Sequence, residues 1–323
     1  MSGLAQESGV RTCFPRTEVS SMKITFHCLV IALASFVPAA LAAPSVNLFE
    51  GDIGSGNIYE FTPNGGSSTF ASGLKRPQGL AFNSAGNLFE ADQGGSKLYE
   101  FTPNGGSSTF ASGLDWPFGL AFDSAGNLFV AESNGNIDKF TPNGGTSTFA
   151  SGLLGPVGLA FDSAGNLFVS DFNTIYSGYI YEFTPNGGSS TFASGLSKDP
   201  SGLAFNSAGN LFVANSLSGN IYEFTPNGGS STFASGLNEP FGLAFDSAGN
   251  LFVTEAKIAV PGDILEFTPN GGSSTFASGL NIPGCLAFEE SIPEPSTLAM
   301  LGIGVIALLG VRRPRVHMRS FTP

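Results

Sequence analysis

The sequence predicts an all-β fold: a six-bladed β-propeller of four-stranded antiparallel blades. Three observations predict it. The fourteen-residue run "FTPNGGSSTFASGL", first at Phe61–Leu74, returns at Phe101, Phe183, Phe224 and Phe267, and once more at Phe140 with Thr146 for Ser. The triplet "NLF" begins at Asn47, Asn87, Asn127, Asn166, Asn210 and Asn250, at intervals of 40, 40, 39, 44 and 40 residues. Forty-four Gly accompany thirty-one Phe, which suits many tight turns joining short buried strands.

Each unit holds four apolar runs. In the second they are "GLAF" (Gly79–Phe82), "NLFEA" (Asn87–Ala91), "KLYEF" (Lys97–Phe101) and "SSTFA" (Ser107–Ala111). Phe, Tyr, Val and Thr at this spacing favour strands. "DSAGN" or "NSAGN" is a turn, with Asx capping and Gly at positive φ. "TPNGG" carries Asn-Gly, a strong hairpin signal. A repeat of about forty residues with four strands matches one propeller blade. A helical solenoid is excluded, since no run keeps a 3.6-residue period. A β-helix has shorter coils.

The first unit lacks its own "GLAF", and the last ends with a surplus "PGCLAF", Pro283 to Phe288. Moved to the front, that strand completes the first blade. The C-terminal strand is therefore expected to pair with the N-terminal blade and close a ring over residues 47–288. Closure removes sheet edges that would otherwise recruit other chains.

The two ends read as addresses. Met22-Lys23 opens an apolar run that finishes Ala40-Leu41-Ala42, so residues 22–42 read as a signal peptide and 1–21 as an upstream over-read of the start. At the other end, Pro293-Glu294-Pro295 in the linker 289–296 precedes a charge-free stretch, 297–311, and a basic tail, 312–323, with Arg312 and Arg313. Fifteen helical residues span about 22 Å against about 30 Å of hydrocarbon, a short transmembrane helix. The arginines would stay cytoplasmic. This order of parts resembles the PEP-CTERM sorting signal. The resemblance implies recognition by an exosortase, transient anchoring in the inner membrane of a Gram-negative bacterium, and delivery to the cell surface or an exopolysaccharide matrix. Cys13 and Cys28 precede the expected cleavage, leaving Cys285 without a disulfide partner.

The units themselves resemble NHL repeats, most closely in "PFGLAFDSAGNLFVAE" (Pro117–Glu132). Propellers of that kind include binding scaffolds, lyases and lactonases, so the resemblance leaves function open. Several residues argue against catalysis. Residues 47–288 contain no histidine, which the lyases of this kind use. Gluconolactonase-like propellers set metal ligands just before the Gly of "PxGLAF". Here that position carries Gln78, Phe118, Val157, Ser201, Phe241 and Gly284, of which only Gln78 suits a metal. A carboxylate- or metal-dependent hydrolase or lyase stays as the alternative to a non-enzymatic binding or structural scaffold.

Charge excludes one partner class. Residues 44–290 hold twenty-two Asp and Glu against six Lys and Arg, with no basic cluster, so no nucleic-acid footprint exists. The second strand ends in Asp52, Asp92, Glu132, Asp171, Asn215 or Glu255. If these faced the axis they would form a ring of hard oxygen ligands for calcium. Recurrence in every blade favours the other role, each capping its own strand–strand loop. Glu60, Glu100, Glu182, Glu223 and Glu266 read as solvated strand positions.

In an up-and-down blade, loops alternate between faces. "DSAGN" and "TPNGG" share one face and barely vary; the other connections share the opposite face and differ in length and chemistry. Loops on a rigid frame carry binding. Trp116, Phe118, Tyr176, Tyr179 and Phe241 on that variable face are the candidates for stacking against a sugar, or alternatively for packing.

Overall fold

Among the described residues, the alternation of apolar runs and Gly-containing turns produces twenty-four strands in six antiparallel sheets of four. The computed structural model describes residues 46–289, apart from 173–176, 198 and 257–260. The expected signal peptide over 22–42, the Pro293-Glu294-Pro295 motif, the expected helix over 297–311, Arg312, Arg313 and Tyr176 lie outside the described residues. Among the described residues no helix is long and apolar enough to cross a membrane.

Blade 2 shows the plan. From axis to rim its strands are Pro77–Phe82, Leu88–Asp92, Lys97–Phe101 and Ser107–Ser112. The inner strand begins two residues before the expected Gly79, because Pro77 already faces Asp92 in the ladder. The inner strands of blades 3 to 6 start at Pro117, Pro156, Pro200 and Pro240. Blade 1 consists of Leu48–Asp52, Asn57–Phe61 and Ser67–Ala71, completed on the axial side by Pro283–Phe288. Leu48 faces Phe288, Phe49 faces Ala287 and Glu50 faces Leu286. The ring closes as the surplus strand predicts.

Both repeated turns are three-residue loops. Gly65 N–H donates to Thr62 O at 2.9 Å and Thr62 N–H to Gly66 O at 2.8 Å, with Gly65 at φ +79°. Pro63 and Asn64 thus occupy the centre of the turn and Gly65 supplies the left-handed residue that a side chain would strain. Asn83 to Asn87 repeats the pattern with Gly86.

The core lies between blades. Every second strand is buried along its length, while the outer strands expose their Ser-Ser-Thr ends. Phe49 packs edge-on against Phe70 of its own blade and Phe82 of blade 2, both at 5.1 Å, and Phe70 continues to Phe101 at 5.6 Å. The same contacts recur around the ring. Each edge-on pair contributes about 0.5–1.5 kcal/mol beyond area burial, which accounts for the abundance of Phe.

Inner strands approach the next blade closely. A Cβ on Gly79 would fall 2.1 Å from Phe118 O, and on Gly119 2.2 Å from Val157 O. Blade 1 places Cys285 in this slot, and it compensates on its second strand with Gly51, whose added Cβ would lie 3.2 Å from Cys285 Sγ. The equivalents of Gly51 are Ala91, Ala131, Ser170, Ala214 and Thr254.

Candidate functional site

The inner strands enclose an axial cavity of about 80 Å³. A ring of leucines from all six blades, Leu80 and its equivalents, forms part of the wall. The residue before each Gly adds Gln78, Phe118, Val157 and Phe241, and Cys285 also reaches the cavity. Ser201 turns away and bonds instead to Ser216 Oγ at 3.3 Å and Pro240 O at 3.3 Å. Phe118 and Phe241 are thus brought together around one cavity. Trp116 stands two residues before Phe118, 52% exposed, with φ +48°. Tyr179 stacks on Tyr181 at 5.8 Å within its own strand.

One sector of the ring is polar. The third residue of the second strand is Val130, Val169, Val213 and Val253 in blades 3 to 6, but Glu50 and Glu90 in blades 1 and 2. Both glutamates have 0% exposure. Glu50 Oε1 accepts from Gly284 N–H at 3.1 Å, whereas its Oε2 and both oxygens of Glu90 have no partner. Gln78, at the cavity wall, also leaves Oε1 unpartnered. Burial holds both glutamate carboxyls well above the ordinary value, and the nearby charges of Asp52 and Asp92 act in the same direction. The Cys285 thiol is pushed up by burial and then by Glu50 and Glu90. It is a neutral thiol, not a poised nucleophile. Beside the acids at the strand ends, neither glutamate stands out in the sequence. The signal was available: one aligned position reads Glu, Glu, Val, Val, Val, Val.

The strand-end acids cap, with a difference in detail. Asp92 Oδ1 accepts from Lys75 N–H at 2.6 Å, Asp171 Oδ1 from Gly155 N–H at 2.7 Å, and Glu255 Oε1 from Asn238 N–H at 2.7 Å. Glu132 takes Asp115 N–H at 3.2 Å, and Asp52 takes Asn281 N–H at 2.6 Å. Asn215 donates to Ser197 O at 2.9 Å. The capped segment is the connection arriving from the preceding blade, about seventeen residues earlier in chain order except where Asp52 closes the ring. Asp52 and Asn215 also hold their own following loops, through Ser55 and Ser218 N–H. Burial raises Asp92, Glu132 and Asp171 above their ordinary values against the lowering pull of these donors. Among the described residues no group of three or more His, Cys, Asp or Glu is arranged to hold a metal ion.

These caps also fix the faces. Because the second strand's end bonds to the interblade connection, both variable loop types share one face, opposite the repeated turns. The repeated-turn face also differs from the sequence reading. Glu60, Glu100 and Glu223 are not merely solvated; each accepts an Asn side-chain N–H, from Asn47, Asn87 and Asn210, at 2.6–2.7 Å.

An all-β ring of this geometry belongs to the six-bladed propellers. Among solved structures, it resembles the nidogen/laminin complex structure at 19% identity and TM-score 0.69, covering 76% of this chain and 99% of that one. It resembles the gluconolactonase XC5397 from Xanthomonas campestris at 16% identity and TM-score 0.60, covering 76% and 90%. It resembles a catalytically inactive virginiamycin B lyase from Staphylococcus aureus with quinupristin at 16% identity and TM-score 0.54, covering 76% and 82%. At such identities the likeness concerns the fold. No curated protein matches the sequence. Residues 291–313 match the PEP-CTERM protein-sorting motif. This motif is the exosortase recognition signal, so the chain is an exported propeller, anchored transiently in a membrane before surface display.

Proposed function

We propose that the propeller is a non-enzymatic binding module displayed at the surface or in the exopolysaccharide matrix of a Gram-negative bacterium. Its ligand inserts one small group into the axial cavity from the variable face. One observation carries this reading. The residue before the inner-strand Gly is Gln78, Phe118, Val157, Ser201, Phe241 or Gly284, while the Pro before it and the Leu-Ala-Phe that follows are constant. In every blade this residue lies between a Pro that faces the strand-end residue and a Leu that faces the third residue of the second strand, so the ladder does not dictate that variety. Four of these six variable residues, Gln78, Phe118, Val157 and Phe241, line the cavity.

The cavity sets the size of the group. At about 80 Å³ it holds a substituent of a few heavy atoms, given about 30 Å³ for each liquid water. The rest of the ligand lies across the mouth, within reach of the exposed Trp116. Phe rings and leucines suit an apolar substituent, and the free Gln78 Oε1 accepts one donor. The absence of histidine from residues 47–288 and the neutral Cys285 oppose an enzyme. The second reading, a carboxylate-dependent hydrolase or lyase, rests on Glu50 and Glu90, which are buried outside the cavity lining with carboxylate oxygens that find no partner among the described residues.

The test is a glycan array probed with purified protein, followed by titration of any hit. Phe118→Ala with Phe241→Ala should weaken binding at least tenfold with folding intact. Wild-type affinity in that variant sinks the axial reading. Turnover of the hit, lost in Glu90→Gln, replaces it with the enzymatic one.

A further inference from the structure

On the opposite face, the repeats contain an internal experiment. The turn between the inner and second strands starts with Asn in blades 2 and 5 and with Asp in blades 3, 4 and 6. With Asn at the start, the Asn that ends the turn donates its side-chain N–H to the glutamate of the third strand, as Asn87 does to Glu100 at 2.6 Å. With Asp at the start, that N–H goes to the Asp: Asn127 to Asp123 at 2.7 Å, Asn166 to Asp162 at 3.0 Å, Asn250 to Asp246 at 2.8 Å. The third-strand residue is then left without its donor.

Blade 3 resolves this with a cation. Its third-strand residue is Lys139, whose Nζ lies 4.0 Å from Asp123 Oδ2 and 5.2 Å over the Phe129 ring. Blades 4 and 6 keep glutamate at that position. Glu182 and Glu266 face Phe168 and Phe252 across the ladder, as Lys139 faces Phe129. No described residue gives either glutamate a hydrogen bond or ion pair. Each lines an open groove between blades. Asp162, Glu182 and Phe168 line one of about 470 Å³, and Asp246, Glu266 and Phe252 one of about 310 Å³.

We infer that these two grooves bind lysine side chains of a basic partner polypeptide, each ammonium seated between the two carboxylates and over the Phe ring. Lys139 shows the occupant: an ammonium over the aromatic ring and beside the Asp. Ammonium over a ring and beside a carboxylate gains from both, more so in a partly desolvated groove. The excess of acids over bases on the propeller favours approach of such a partner. This site lies away from the axial cavity and does not depend on it.

The test is a backbone-amide NMR titration of the purified protein with Nα-acetyl-lysine amide. Nα-acetyl-norleucine amide is the uncharged control, and cadaverine the free diamine. Saturable shifts at Ala164, Asn166, Ala248 and Asn250 are expected with lysine amide alone or at lower concentration than with cadaverine. Glu182→Lys with Glu266→Lys should fill both grooves from within, as blade 3 does, and abolish the shifts. If that variant is unfolded, Glu182→Gln with Glu266→Gln should weaken them at least threefold. Lys139→Glu should open a third groove and add saturable shifts at Ala125 and Asn127. Non-saturating shifts, equal shifts with norleucine amide, tighter binding of cadaverine, or shifts unchanged in both glutamate variants overturn the inference.

Discussion

The backbone N–H of Asn281 donates to Asp52 Oδ2 at 2.6 Å across 229 residues of sequence. In blades 2, 3, 4 and 6 the same bond joins segments about seventeen residues apart, and in blade 5 Asn215 makes the reverse one, donating to Ser197 O. The interaction is one repeated cap, but in blade 1 it also ties the chain's end to its beginning. Two backbone bonds reinforce it, Gly54 N–H to Asn281 O at 2.8 Å and Ile53 N–H to Ile282 O at 3.1 Å.

Deletion of Pro283–Phe288 should therefore do more than remove a strand. It strips Leu286 from the blade 6 to blade 1 core and exposes the ladder edge of Leu48–Asp52. Aggregation or a sharply lowered melting temperature is expected in calorimetry. Asp52→Ala alone should cost about 1–3 kcal/mol, because two part-buried backbone N–H groups, of Ser55 and Asn281, lose their charged acceptor. An unchanged melting curve for the deletion refutes the clasp.

A second expectation concerns pH. Glu50 and Glu90 carry raised values in the fold and ordinary ones, near 4.5, when unfolded. Between those limits the folded state holds more protons than the unfolded state. Stability is full below about the unfolded value and falls as pH rises toward the folded values. The smaller upward shifts of Asp92, Glu132 and Asp171 have the same sign. Melting temperature should be higher at pH 5 than at pH 8. Glu90→Val, the residue of four other blades, should raise stability at pH 8 by about 1–4 kcal/mol and flatten the slope. A slope of opposite sign, or destabilisation by Glu90→Val, contradicts the upward shift that burial gives these carboxyls.

Why the fold was legible and the polar sector was not follows from the same repetition. Strands and turns are dictated locally: Gly65 needs its left-handed φ, Pro63 its fixed one, and Phe49 its two ring neighbours. Six near-identical statements of those needs leave little ambiguity, and the unmatched ends of the array show closure. The axial wall is built from inner-strand residues scattered at intervals of about forty positions, such as Gln78, Phe118 and Val157, so it is seen by aligning repeats. Glu50 and Glu90 look like ordinary strand acids, because Glu60 and Glu100 stand nearby in the same sequence. Only the sheet register places the first pair between blades and the second at the edge of the turn face.

Sorting is separable from folding. The Pro293-Glu294-Pro295 motif lies beyond the last strand, and the ring closes without it. Glu294→Ala should leave the propeller's melting unchanged while a longer precursor accumulates in the membrane fraction, seen by immunoblot of fractionated cells. Normal delivery of the variant to the surface shows that the matched motif is incidental in this chain.

The strand-end acids decide between a cap and a calcium ring. Five of the six positions are acidic, and hard oxygens are calcium's ligands. Their lone pairs, however, already serve backbone donors: Lys75 N–H at Asp92, and Leu154 and Gly155 N–H at Asp171. A calcium ion would have to compete with those bonds, each a hydrogen bond to a charged group contributing about 1.5–3 kcal/mol. The geometry also points each acid toward the connection arriving from the preceding blade. Calcium at millimolar concentration should therefore give no saturable rise in melting temperature. Asp92→Ala and Glu132→Ala should each lower stability by about 1–3 kcal/mol with or without calcium, since a cap is lost in both cases. A ligand bound only by the folded state would stabilise it in proportion to the logarithm of its concentration. Saturable stabilisation by calcium in the wild type, abolished when Asp92 and Glu132 are replaced together, would show that the acids reorganise around an ion and that the caps are the ion-free arrangement.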